Sequence, residues 1–339
     1  MLLSTIFMTA LNAVLPIVLM IALGYLLHQK GLLGSEFLKN SNKLVFQIGL
    51  PAMLFVNVYS IESLGHIRWD IVAYCAGAIL LVFGLGLLIA CLTTPVPGRR
   101  GVILQCVFRS NFAIIGLPLA AALGGAEAEA TAAILSAVTI PLFNILAVIA
   151  LSLFRREREK IDIFQILRDI VKNPLIRGVA MGIAALILRW AQNEIFEEVV
   201  FALNRETKFL YTLLTWLKAM TTPLALLVLG GQFTFSAVKG LRKEIVVATS
   251  CRLLLTPAIG IGGAFLLSRL GVICCGSNDY PALIALFASP VAVASAIMAS
   301  QMDNDEQLAT QLVVWTTLLS GVTIFGISCL LMALGLIAA

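Results

Sequence analysis

The sequence predicts an all-α polytopic membrane protein: ten transmembrane helices in two inverted halves of five, with the fourth and ninth helices interrupted. Three observations predict it. The composition is that of a lipid-solvated chain, ten apolar runs are long enough to span, and the basic loops alternate between the two sides. Hydrophobic residues make up 60% of the 339 residues, and Asp, Glu, Lys and Arg only 12%. Soluble domains hold about 45–50% and about 25%. A soluble fold so poor in charge could not cover its surface, and the mean hydropathy of +1.02 makes the bilayer the solvent. A soluble enzyme, a nucleic-acid binder and a secreted disulfide scaffold are thereby excluded.

A bilayer core about 30 Å thick needs roughly 20 apolar residues in a helix, and unsatisfied backbone groups forbid open strands there. Apolar runs between charged or turn-rich punctuation fall at 5–27, 40–60, 70–92, 102–124, 131–154, 174–190, 209–232, 245–267, 281–301 and 308–337. The first follows a start without Lys or Arg and is long enough to span, so it reads as a helix and not as a cleavable leader. The second and seventh each contain a proline, Pro51 and Pro223. The fourth holds Arg109, Asn111, Gly116 and Pro118, the eighth holds Arg252, and the ninth holds Pro290. The sixth is short and the tenth is long.

Loops after the odd-numbered runs carry thirteen Lys and Arg, among them Arg99, Arg100, Arg155 and Lys172; the other side carries five. The richer side is expected in the cytoplasm, which places both termini outside. The basic connector at 155–172 divides the chain into a first repeat (1–154) and a second (173–339). Five spans per half invert the second half, an architecture common among secondary transporters. Echoes between the halves agree: Gly49-Leu50-Pro51-Ala52 in run 2 answers Thr222-Pro223-Leu224-Ala225 in run 7.

Run 4 reads Arg109-Ser110-Asn111-Phe112-Ala113-Ile114-Ile115-Gly116-Leu117-Pro118, and run 9 reads Ala288-Ser289-Pro290-Val291. Pro118 cannot donate to the Ile114 carbonyl, nor Pro290 to that of Leu286. Lipid-exposed breaks would be costly, so they are expected to line an enclosed cavity. Two half-helix N-termini would then offer N–H groups to an anion. All eighteen acidic residues fall in loops or at span ends by this reading, whereas Arg109, Arg252, Arg177, Lys218 and Lys43 lie inside spans. Arg177 and Lys43 are close enough to the interface to snorkel. Arg109 and Arg252 are about 12 Å deep at 1.5 Å per residue. A buried arginine there faces a cavity or a partner, and a site with cations and no carboxylate suits an anionic substrate.

The cysteines give no redox or metal pattern. Five sit singly in apolar runs, Cys274 and Cys275 are adjacent, and there is no C-x-x-C. His28 and His66 lie in different loops, so no metal and no cofactor is expected.

In Arg109-Ser110-Asn111 followed by Gly116-Leu117-Pro118-Leu119, the chain resembles the auxin efflux carrier family. That family includes the plant PIN-formed carriers and bacterial permeases for malonate, malate and similar acids. The resemblance runs through Gly24-Tyr25, Gly31-Leu32-Leu33, Asn42-Lys43-Leu44-Val45, Leu50-Pro51-Ala52, Asn173-Pro174, Pro223-Leu224-Ala225-Leu226, Ala288-Ser289-Pro290 and Thr316-Thr317-Leu318-Leu319-Ser320, nearly the whole chain. It implies crossing broken helices 4 and 9 around a central site, a scaffold domain and elevator-like alternating access. It also implies that Asn111 receives a substrate carboxylate and that Pro290 marks the second crossover. Ser110 stands where the plant carriers have proline, and their long central loop is absent. The chain is therefore more similar to the short-loop bacterial branch, which implies an inner membrane and a small mono- or dicarboxylate.

The substrate-binding candidates are Arg109, Ser110, Asn111, Gly116, Ser289, Pro290, Val291, Pro51 and Arg252. The expected partners are a small anion and the bilayer, not nucleic acid, with a homodimer left open. A membrane enzyme would need a nucleophile–base or metal constellation, and the sequence has no HExxH, no Ser/His pair and no clustered acids. Two rivals stay open: a sodium-coupled carrier of the bile-acid type, and a ligand sensor on the same fold that does not transport.

Overall fold

A computed structural model describes residues 2–61, 68–155, 163–196 and 199–337. Helix α1 is Leu2–Gln29, and α2 (Ser35–Leu44) runs through a π-helical turn, Val45–Gly49, into α3 (Leu50–Tyr59). Then come α4 (Trp69–Thr93), α5 (Pro97–Phe108), a second π turn at Phe112–Gly116, and α6 (Leu117–Leu153). The second half opens with α7 (Ile163–Lys172), α8 (Pro174–Phe196) and α9 (Lys208–Gln232). Helix α10 (Ala237–Ser250) continues through π turns at Cys251–Leu255 and Ala258–Gly262 into α11 (Gly263–Arg269). The chain closes with α12 (Asp279–Phe287), α13 (Ala294–Gln301) and α14 (Glu306–Ala333).

Among the described residues, six helical stretches are long and apolar enough to cross a membrane: Trp69–Thr93, Phe112–Leu153, Pro174–Phe196, Lys208–Gln232, Ala237–Arg269 and Glu306–Ala333. The protein is thus a multi-pass, all-helical membrane protein. The remaining apolar runs fall on α1, on α2 with α3, and on the short helices α5, α12 and α13.

Two expectations change. Runs 4 and 5 are separated as expected, but by a sharp break and not by a loop: the helix from Leu117 stops at Gly125, whose φ of +68° suits a residue without Cβ, and a second helix starts at once and runs to Leu153. The Ala-Glu-Ala-Glu-Ala segment after it is made of good helix formers, so Glu127 and Glu129 lie within helix and not in a loop. Within the connector, 163–172 is helical because its apolar residues recur at helical spacing. Arg156, Arg158 and Lys160 fall outside the described residues, as does His66.

Most packing falls within two groups of helices, which meet where α1 also packs along α14. Helix α1 lies along α9, and α3 packs on α8 and α9. Backbones touch there: a Cβ at Gly24 would collide with the carbonyl of Leu227, and one at Gly230 with that of Ile21. Small residues are what allow such approach between membrane helices. In the second group α6 packs on α12, α4 on α5, and α14 on α10 and α13. Ion pairs tie this second group at two places. Arg68 pairs with Asp70 and Asp279 at one; at the other, Arg99 pairs with Glu244 and Asp305.

Candidate functional site

Helix α5 stops at Phe108. Arg109 is extended (φ −84°, ψ 116°), and helical turns resume only at Phe112. Helix α12 stops at Phe287, and α13 begins at Ala294. Both arms are therefore broken, and the breaks meet. Ser110 and Val291 form an isolated antiparallel bridge, and Asn111 N donates to Pro290 O at 2.8 Å. The extended residues satisfy each other's backbone groups, which neither could do alone in hydrocarbon. Val291 N also donates to Thr316 Oγ1 at 3.3 Å, anchoring the crossover to α14.

The first break lies upstream of the position that Pro118 suggested. Pro118 lies six residues into the helical turns that resume at Phe112 and does not interrupt them. The helix restarts at Asn111, whose carbonyl accepts from the first-turn amides of Ile114, Ile115 and Gly116. The second break behaves as expected: the carbonyl of Leu286, freed by Pro290, accepts from Arg252 Nη2 at 3.5 Å.

Arg252 is wholly buried and faces the C-terminal ends of both interrupted helices. Its guanidinium donates to Ser289 O through Nε (2.9 Å) and Nη2 (2.6 Å), and to Phe287 O (3.3 Å). It also reaches Val107 O (3.4 Å) and Phe108 O (3.3 Å) at the end of α5. Two helix C-termini with unpaired carbonyls converge on one cation, the arrangement their dipoles favour. Thr256 Oγ1 adds a bond to Val107 O at 2.8 Å.

Beside the crossover is a cavity of about 50 Å³. One wall is Arg109, Ser110, Asn111 and Ala292–Ala294 with Phe143 and Asn144 of α6. The opposite wall is Leu50, Met53 and Leu54 of α3 with Thr221, Thr222 and Ala225 of α9. It thus lies between the two helix groups. Asn111 is 2% exposed and Ser110 5%, yet Asn111 Nδ2 and Ser110 Oγ have no hydrogen-bond partner. Such orphaned donors are expensive unless a ligand meets them. Arg109 donates through Nη2 to Asn144 Oδ1 at 2.8 Å. Turned to satisfy both of its ends, the Gln105 amide accepts from Arg109 Nη1 at 2.8 Å and donates to Ser295 O at 3.3 Å. These partners are neutral, and among the described residues no acidic side chain lines the cavity, so no carboxylate there compensates the guanidinium charge.

Of the nine sequence candidates, Arg109, Ser110 and Asn111 line the cavity. Six do not: Pro290 and Val291 form the arm that crosses those three, and the other four lie elsewhere. The Arg252 donors are turned onto backbone carbonyls. Ser289 donates its hydroxyl to Ala285 O at 2.6 Å. Gly116 packs against α12, where a Cβ would stand 2.9 Å from Ala285 O. Pro51 faces away, toward α8. The sequence reading passed over Gln105, although its spacing of four from Arg109 puts both on one helix face. It also passed over Thr221, one residue before the quoted Thr222-Pro223 pair. Asn144 both holds Arg109 and lines the cavity.

Residues 9–328 match the family model described as membrane transport protein. The chain belongs to that family. It is the auxin efflux carrier family whose ordered motifs the sequence resembles. Over 327 residues the chain is 22% identical to an uncharacterized transporter of Methanothermobacter thermautotrophicus, covering 94% of this chain and 97% of that one. Over 269 residues it is 27% identical to an uncharacterized transporter of Methanocaldococcus jannaschii, covering 78% and 80%. The protein is thus a membrane transport family member whose relatives are named as transporters.

Proposed function

We propose that this protein is a secondary transporter that moves a small organic anion, a mono- or dicarboxylate, through the crossover of α5–α6 with α12–α13. One observation carries the reading: Asn111 Nδ2 and Ser110 Oγ are buried and unpartnered in a cavity that holds the cation of Arg109 and no carboxylate. A carboxylate entering there would accept from both donors in the field of Arg109, where charge-assisted bonds are strongest. The cavity's position between two helix groups supports an elevator-like alternation, in which one group carries the site past the other. In this reading the fold comprises ten helices, with inverted repeats at 1–154 and 173–339 joined by 155–172. The basic face is cytoplasmic, the termini lie outside, and the membrane is a bacterial inner membrane.

The test is uptake of labelled mono- and dicarboxylates into proteoliposomes, with equilibrium binding measured in parallel. Saturable uptake whose apparent affinity Asn111→Ala lowers about tenfold or more, with folding intact, supports the proposal; uptake unchanged in that variant removes the site. Uptake that collapses without a sodium gradient identifies the sodium-coupled rival. Binding without flux identifies a sensor.

A further inference from the structure

The face of α3 turned away from the crossover also walls a cavity. With α8 and α9 it forms an open groove of about 530 Å³, within the range of about 300–1,000 Å³ usual for ligand sites. Its floor is fixed by contact of α8 on α3: a Cβ at Gly178 would stand 2.6 Å from Pro51 O. From Gln47 to Phe55 it rises about 12 Å. Its upper walls, Met181, Leu214 and Leu217, are apolar.

The lower end differs in kind. Gln47 and Arg177 line it, both are exposed, and no acidic residue is among the lining side chains. Lys43 is exposed one turn before Gln47 on the same helix face. Arg177 is one turn from the start of α8, at the end of the bundle that carries the basic loops. An amide turned outward from a membrane helix has no partner in hydrocarbon. Two cations and an amide above a long apolar trough match an amphiphile with a negative head and a chain.

We propose that this groove binds one anionic phospholipid, with its phosphate held by Lys43, Gln47 and Arg177 and an acyl chain laid along Met181, Leu214 and Leu217. The opposite face of α3 presents Leu50, Met53 and Leu54 to the crossover cavity, so the lipid braces the wall of that cavity. The proposal does not depend on which anion is carried.

The test uses the purified full-length chain in detergent, titrated with phosphatidylglycerol or phosphatidylcholine and read by native mass spectrometry. One phosphatidylglycerol is expected to be retained in preference to phosphatidylcholine. The exposed double change Lys43→Gln with Arg177→Gln should weaken phosphatidylglycerol roughly tenfold or more and leave phosphatidylcholine unaffected. Met181→Trp, also at an exposed position, should fill the trough and reduce both. Equal retention of the two lipids by the native chain, or unchanged retention in both variants, overturns the proposal. So does a dimer cross-linked through α3 that excludes lipid, which would assign the groove to a second copy of the chain.

Discussion

The backbone amide of Asn111 donates to the carbonyl of Pro290 at 2.8 Å, joining two interrupted helices from opposite halves of the chain. Because the main chain of Asn111 makes this bond, its side chain is left for the cavity. Structure and binding are therefore separable at this residue.

Asn111→Ala keeps the backbone bond and removes the donor. A hydrogen bond to a charged group is worth about 1.5–3 kcal/mol, so anion affinity should fall about tenfold to a hundredfold, with the thermal midpoint nearly unchanged. Asn111→Asp, which adds a negative charge, should abolish binding. Ligand-induced thermal shift reads both.

Arg252→Leu should do the opposite. It strands carbonyls of both α5 and α12 in the core, at about 1–3 kcal/mol for each group left unsatisfied. A large loss of thermal stability is expected before any binding is measured. Arg252→Lys should rescue little, because one compact ammonium cannot replace the planar fork that spans both helix ends. A variant as stable as the native chain would refute the capping role.

Among the described residues of the cavity wall, Arg109 carries the one formal charge, and Arg109→Gln removes it. Binding of carboxylates should weaken and lose its dependence on substrate charge, while uncharged analogues of the same shape gain relative to them. Isothermal titration of an acid and its amide against both forms checks this.

Arg99→Ala leaves Glu244, whose side chain is 9% exposed, without its cation. Because Arg99 itself is 28% exposed, the cost is expected at about 1–3 kcal/mol. It should exceed that of Glu244→Gln, which removes the charge needing a partner. Chemical denaturation of the two variants ranks them.

Gly230→Leu should destabilise by about 1–3 kcal/mol or more through overpacking, because its Cβ meets the backbone of α1 and not a movable side chain. Thermal unfolding measures it, with Gly326→Ala as the control, since a Cβ there meets open space.

Sequence alone marked the chain as all-helical and multi-pass, placed an interruption at the proline of the ninth run, and put Arg109 and Arg252 deep within apolar runs. These follow from composition and from local backbone chemistry, which no distant contact can reverse. It also marked Arg109-Ser110-Asn111 as a single unit. It could not separate the two deep arginines, which have the same depth and residue type. Only folding brings the π turn after α10 to the ends of α5 and α12, 145 residues away for Val107. That contact turns Arg252 onto backbone carbonyls, while Arg109 is left with neutral partners beside a cavity. The role of a buried cation depends on which acceptors surround it, and those come from chain segments far apart in sequence.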